Sequence, residues 1–167
     1  VEPYDDELGE IYTIGIFTVG TLNVEEIHTD PKKVIEAVYH ASKGIVKDNK
    51  FLVTLGGEHS ISQGAIKAYK EKYKRLSVLQ LDAHLDLMEQ FGGTRYSHAS
   101  VSRRVVEDLG CKVTSFGVRV ASKEEHNFLK KNKSKVSVFY ARDIYDNDSW
   151  HEEAIDTLED HVYITLD

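Results

Sequence analysis

Residues 81–86 combine metal-binding side chains with the end of an apolar run. Asp82, His84 and Asp86 occupy alternate positions just after the apolar residues 76–79. Alternate side chains of an extended chain point to the same side, so these three are predicted to converge on one point. Two carboxylates and an imidazole suit a divalent ion such as Mn²⁺ or Zn²⁺. The alternative is an exposed acidic loop that happens to contain a histidine.

Two other stretches present ligand types in the same way. Residues 51–55 form a short apolar run that leads into Gly-Gly-Glu-His-Ser, which contains His59. The paired glycines give this turn backbone freedom that other residues lack. Residues 162–166 form a third β-rich run, and Asp167 follows it directly. Three predicted strand ends therefore carry metal-binding side chains, which predicts a metal site with two ions.

Strands and helices alternate along the chain, which predicts an α/β fold with a parallel sheet. The predicted strands are residues 11–17, 51–55, 76–81, 112–117, 136–140 and 162–166, and the predicted helices are about 31–46, 62–73, 99–109, 122–132 and 150–158. Ligands of open parallel sheets bind beyond the carboxyl ends of the strands. His59, Asp82 and Asp167 are therefore predicted to lie along one edge of the sheet.

Composition and charge exclude several classes of partner. A chain of 167 residues can form one ordinary core, so a single domain over residues 1–167 is expected. The net charge of −7 and the lack of a Lys/Arg block argue against nucleic-acid binding. No apolar run reaches the ~20 residues of a membrane span. Cys111 is the only cysteine, so no internal disulfide can form and a cytoplasmic location is expected.

The motifs resemble those of the ureohydrolases, the family of arginase and agmatinase. The family signatures Gly-Gly-Asp/Glu-His-Ser and Asp-Ala-His-x-Asp match residues 56–60 and 82–86. The signature Ser/Thr-x-Asp-x-Asp begins to match at residues 165–167. The resemblance implies a three-layer αβα sandwich with a mainly parallel sheet, as in arginases and deacetylases.

The resemblance also concerns the branch of the family and the extent of the domain. Residues 96–100 (Tyr-Ser-His-Ala-Ser) and 117–119 (Gly-Val-Arg) most resemble the agmatinase branch. The chain begins at Val1 rather than at methionine and closes on Asp167. Set beside complete ureohydrolases, this implies an incomplete domain that lacks both ends and would be inactive alone.

The family's metal ligands can be carried over by position. His59, Asp82 and Asp86 would hold one Mn²⁺, and His84 would bind the second ion. Asp82 and Asp167 would bridge the two ions. The sixth ligand of the family is an aspartate two residues beyond Asp167.

Two further side chains receive roles from the resemblance. His98 would be the proton shuttle that serves the leaving amine, a task that suits an imidazole near neutral pH. The alternative for His98 is a surface histidine at the start of a helix. Glu58 would orient the neighbouring His59 without binding metal.

The choice of substrate rests on an absent segment. Arginases contact the α-amino and α-carboxylate groups of arginine partly through a Ser-Gly-Asn segment before the shuttle histidine, and residues 88–95 lack it. The cationic amine of agmatine also suits an acidic protein. The resemblance, together with the absent segment, therefore implies a manganese-dependent agmatinase of polyamine biosynthesis that converts agmatine to putrescine and urea and forms a trimer or hexamer like its relatives. The alternatives are an amidinohydrolase for arginine, guanidinobutyrate or formiminoglutamate, and a non-catalytic relative.

Overall fold

A four-stranded parallel sheet organises the chain in this computed structural model, which describes residues 4–5, 7, 9–11, 15–145 and 149–167. The strands, including a separate antiparallel pair β1–β2, are β1 Tyr4–Asp5, β2 Glu10–Ile11, β3 Leu76–Leu81, β4 Lys112–Val118, β5 Val136–Tyr140 and β6 His161–Leu166. The order in the main sheet is β5-β4-β3-β6, and each neighbouring pair is parallel. The predicted α/β fold with a parallel sheet is confirmed.

Five of the described helices lie close to their predicted positions, and the short helix Ala141–Ile144 was not predicted. The helices are α1 Pro31–Lys47, α2 Ser62–Lys72, α3 Val101–Glu107, α4 Lys123–Lys131, α5 Ala141–Ile144 and α6 Trp150–Asp156, with 3₁₀ turns at His59–Ile61 and His98–Ser100. Asp30 caps α1 by accepting the backbone N–H of Lys33 at 3.3 Å, and Ser122 and Glu125 form a reciprocal capping box at α4. No helix among the described residues is long and apolar enough to cross a membrane.

Helices α1 and α2 pack against each other where a glycine permits close approach. A methyl group added at Gly64 would lie 2.9 Å from the backbone nitrogen of Tyr39, so this contact excludes any side chain. The packing places the first turn of α2, and the 3₁₀ turn before it, beside the end of the sheet.

The buried core continues into the loop that follows β3. Leu85 and Leu87 are fully buried and belong to the same cluster as Val78, Val105 and Val113. Burying a leucine side chain contributes about 1.5–3 kcal/mol. The loop after β3 is therefore held by the core of the sheet.

Two predicted strands are wrong in the part that the structure describes. Residues 51–55 form no strand, and the side chains of Phe51 and Leu55 are 93% and 91% exposed. Within residues 11–17, only Ile11 is in a strand, residues 12–14 lie outside the described part, and 15–17 are irregular. An apolar run becomes a strand only where a neighbour takes its backbone hydrogen bonds. Within residues 51–55, the Leu52 backbone N–H instead donates to the side-chain hydroxyl of Tyr69 at 3.2 Å.

Candidate metal centre

The register of the sheet brings two aspartates side by side. Leu81 of β3 pairs with Leu166 of β6, so Asp82 and Asp167 follow at the same level on adjacent strands. The Asp167 N–H donates to the Leu81 carbonyl at 3.1 Å, and the Asp82 N–H donates to the Phe116 carbonyl at 3.0 Å. Hydrogen bonds across the sheet thus fix both backbones at its carboxyl edge.

His59 reaches this edge from the 3₁₀ turn before α2. Its Nδ1 lies 2.7 Å from Asp86 Oδ2. The same nitrogen is 3.6 Å from Asp82 Oδ2 and 3.8 Å from Asp167 Oδ2. On the other side of the ring, Nε2 lies 3.0 Å from the hydroxyl of Thr165. With a proton on Nε2 that donates to Thr165, Nδ1 would be the ring atom that faces a metal ion bound among the carboxylates.

Three of the predicted ligands form a compact buried group. His59, Asp82 and Asp86 are each less than 8% exposed and offer ligand atoms that all lie within 4.8 Å of one another. No Lys or Arg in the described part of the chain forms an ion pair or hydrogen bond with either aspartate side chain. Buried carboxylates need a compensating positive charge, and imidazole with carboxylate is a donor set that divalent transition ions accept. The residues therefore fit a metal ion.

The protonation of the group points to the same need for positive charge. Burial by itself would lower the pKa of His59, but the hydrogen bond to Asp86 and the surrounding carboxylates outweigh it and raise that pKa. Burial raises the pKa of Asp86, and the hydrogen bond to His59 opposes it only in part. Both shifts favour a proton shared between the two side chains. A divalent ion would take the place of that proton.

The loop after β3 does not continue the alternation of a strand, and this corrects one expectation. Asp82 and Asp86 converge on His59 as predicted, but His84 lies outside this buried group. Strand alternation does not produce the arrangement, because β3 ends at Leu81 and Asp86 adopts a left-handed φ of 54°. The Asp86 carbonyl accepts the Arg103 N–H at 3.1 Å, which holds this bend against α3. The bend places the Asp86 carboxylate beside His59.

His84 lies on the other side of Asp82. Its Nδ1 is 3.2 Å from Asp82 Oδ1, and its side chain is 64% exposed. Asp82 therefore has one oxygen near His84 and the other near His59. That arrangement is compatible with a bridging carboxylate, the role predicted for Asp82.

Glu58 connects the turn of His59 to the turn of His98. Its carboxylate accepts the His98 backbone N–H at 2.8 Å and lies 3.1 Å from His98 Nδ1. It also accepts hydrogen bonds from the backbone and hydroxyl of Ser60. Burial would raise the pKa of Glu58, but these hydrogen bonds outweigh it and lower the pKa, which keeps the group ionised at neutral pH. The Glu58 carboxylate thus contacts the ring of His98, whereas the prediction was that it would orient His59.

Three residues that support the site were not singled out from the sequence. The Thr165 hydroxyl is hydrogen-bonded to His59, and the Gln80 amide donates to Asp82. Glu125 accepts the Leu87 N–H at 3.1 Å. Gln80 could have been identified from the sequence, because a polar residue within an apolar strand needs buried hydrogen-bond partners. Glu125 acts on a residue 38 positions earlier in the chain, so no short-range pattern indicates this contact.

Comparison with known proteins yields one family. The Arginase family model matches residues 2–167. The N(1)-aminopropylagmatine ureohydrolase of Synechocystis is 33% identical over 173 residues, covering 100% of this chain and 56% of its own length. The agmatine ureohydrolase structure from Thermoplasma volcanium matches with a TM-score of 0.70 and 34% identity, over 82% of this chain and 46% of that one.

A more distant structure supports the fold alone. The formimidoylglutamase of Bacillus subtilis has a TM-score of 0.86 at 22% identity and covers 98% of this chain and 53% of that one. The chain thus spans about half the length of these relatives.

Proposed function

This chain belongs to the arginase family, and from that premise we propose that it forms the metal-binding part of an agmatinase that hydrolyses agmatine to putrescine and urea. The observation that carries the proposal is the buried group of His59, Asp82 and Asp86 at the carboxyl edge of the sheet. Its donor atoms and uncompensated negative charge suit two Mn²⁺ ions, with His84 and Asp167 as the further ligands on this chain. Bound manganese would lower the pKa of a coordinated water toward neutrality.

The protein's own side chains supply the proton chemistry. Hydrolysis forms a C–O bond and breaks a C–N bond of the guanidinium group, and both protons of the attacking water end on the leaving amine. We assign the delivery of a proton to His98, whose side chain is 54% exposed and lies beside Glu58, the residue before the 3₁₀ turn of His59. With Nδ1–H donating to the ionised Glu58, the imidazole keeps Nε2 available for proton transfer.

The choice of agmatine rests on charge and on relatives. The protein carries a net charge of −7, which favours a substrate with a guanidinium group at one end and an amine at the other. The structure from Thermoplasma volcanium is that of an agmatine ureohydrolase. N(1)-aminopropylagmatine is the second candidate, because a ureohydrolase named for it aligns with the whole of this chain.

The test is hydrolysis of a panel of compounds by the Mn²⁺-loaded whole protein that contains this chain, measured as urea release from the guanidino compounds and as formamide release from formiminoglutamate. We expect agmatine to give the highest kcat/KM, ahead of N(1)-aminopropylagmatine, arginine, guanidinobutyrate and formiminoglutamate. A preference for arginine would overturn the assignment to agmatine. Binding of Mn²⁺ by that whole protein without release of urea or formamide from any compound would favour the non-catalytic alternative.

A further inference from the structure

Gln80 is a polar side chain in the middle of the sheet, and no hydrolytic role accounts for it. It lies on β3 two residues before Asp82 and is fully buried. Burying an amide without hydrogen bonds destabilises a protein, because the polar atoms lose their contacts with water. Its partners therefore indicate why an amide stands where an aliphatic residue would pack.

The amide of Gln80 uses its full hydrogen-bonding capacity. Nε2 donates to Asp82 Oδ2 at 3.0 Å and to the His84 carbonyl at 3.3 Å. Oε1 accepts from the hydroxyls of Ser102 on α3 and Ser115 on β4, at 2.8 and 3.0 Å. An amide offers two donor hydrogens and two acceptor lone pairs, so all four are used.

These partners permit only one orientation of the amide. Rotation by 180° would place Oε1 against the Asp82 carboxylate and the His84 carbonyl, and both of those groups only accept hydrogen bonds. The two serine hydroxyls can either donate or accept a hydrogen bond, so they fit either orientation of the amide. The side of Gln80 that faces the metal group is therefore always the donor side.

Each oxygen of Asp82 thus receives one neutral N–H donor. Oδ2 is bound by Gln80, and Oδ1 accepts the His84 backbone N–H at 2.8 Å. Each carboxylate oxygen has about two acceptor sites, and the second site of each faces a histidine that is itself a proposed ligand: His84 Nδ1 lies 3.2 Å from Oδ1 and His59 Nδ1 lies 3.6 Å from Oδ2. A neutral donor orients the carboxylate and leaves its negative charge intact. A lysine or arginine at this place would neutralise that charge.

We propose that Gln80 is a positioning residue that holds Asp82 in the orientation in which both its oxygens can bind metal. The inference rests on the proposed metal centre and assigns Gln80 no contact with the ions or the substrate. Groups that orient metal ligands typically change metal affinity 10–100-fold when they are removed. The effect of Gln80 on metal binding should therefore be separable from its effect on stability.

The test compares the two ends of the same amide by Mn²⁺ titration, with unbound Mn²⁺ followed by its electron paramagnetic resonance signal. Gln80→Met keeps the volume and removes the donor, and we expect it to weaken Mn²⁺ binding about 10–100-fold. The matched control is the double variant Ser102→Ala with Ser115→Ala, which removes the partners of Oε1 and leaves the donor to Asp82. It should lower Tm and leave the Mn²⁺ affinity within about threefold of the original protein.

A conservative variant provides a rescue and covers the case in which Gln80→Met does not fold. In Gln80→Glu the new carboxyl is buried beside Asp82, which favours its protonated form, and that form keeps one donor. We expect its Mn²⁺ affinity to lie between those of Gln80→Met and the serine double variant. Equal affinities of the Gln80 variants and the serine double variant would overturn the inference. An unsubstituted protein that binds no Mn²⁺ would overturn the proposed metal centre itself.

Discussion

The two segments that supply the proposed buried metal ligands are built very differently. The loop after β3 is packed and hydrogen-bonded over residues 82–88, except at the exposed side chain of His84. Leu85 and Leu87 are fully buried, and the Ala83 carbonyl accepts the Arg119 N–H at 2.9 Å. The segment before His59 has large apolar side chains in the open, since Phe51 and Leu55 are more than 90% exposed.

The difference teaches where the rigidity of the site originates. Asp82 and Asp86 are placed by the sheet and its core before any ion binds. His59 owes its position to its own two hydrogen bonds, to Asp86 and to Thr165, more than to the segment that leads to it. The loop after β3 therefore acts as the preformed half of the site, and His59 completes it.

The largest expected effect is the loss of the metal from the preformed half. Asp82→Ala removes the carboxylate that lies between His59 and His84, and we expect it to abolish both Mn²⁺ retention and urea release. Asp160→Ala, on the exposed surface, is the matched control and should retain the metal. Elemental analysis after gel filtration measures both, and full metal content in Asp82→Ala would rule out the bridging assignment.

A substitution at His98, in the exposed turn, should affect turnover without affecting metal content, unlike substitutions of the proposed buried ligands. His98→Asn should retain Mn²⁺ and lose roughly 10²–10⁴-fold in kcat, because it removes a proton-transfer group and no ligand. His126→Asn, on the exposed side of α4, serves as the control. Steady-state kinetics and metal analysis decide the matter: metal loss would make His98 a ligand, and unchanged kcat would remove it from the reaction.

A pair of leucine variants tests the comparison of the two segments directly. Leu85→Ala should lower the free energy of unfolding by about 2–5 kcal/mol, because it opens a cavity in the core. Leu55→Ala, at a side chain that is 91% exposed, should change it by less than about 0.5 kcal/mol. Urea denaturation of both variants provides the measurement. A cost for Leu55→Ala that equals that of Leu85→Ala would mean that residues 51–55 are buried in solution.

The smallest effect concerns pH in the absence of metal. The raised pKa values of His59 and Asp86 mean that the folded protein binds protons at this pair more tightly than the unfolded chain does. The stability that the pair contributes is complete below the ordinary pKa of each group and is lost as pH rises through the raised values.

This pH effect can be isolated with one substitution. The stability advantage of the original protein over Asp86→Asn should shrink between pH 5 and pH 8 when a chelator is present. Urea denaturation midpoints of the two proteins give this difference, and added Mn²⁺ should restore the advantage at the higher pH. An advantage that grows with pH in the chelated protein would contradict the proposed sharing of a proton.

The sequence by itself determined the elements that local patterns control. Residue type and short-range spacing account for the apolar run of β3 and for the capping box at α4. They also account for Gly110, which follows α3 and has a positive φ of 65°. The sequence also determined which side chains are candidate ligands, because carboxylates and imidazoles at the ends of apolar runs are visible without a structure.

Tertiary structure alone decided which of those candidates meet. Register between β3 and β6 places Asp82 beside Asp167, and a left-handed Asp86 turns away from the alternation that the sequence predicts. The roles of Gln80 and Thr165 also depend on partners that lie on other elements, 22 to 106 residues away. Residues 51–55 have the composition of a strand and are not one here, because β-structure depends on the hydrogen bonds of a neighbour and not on the segment alone.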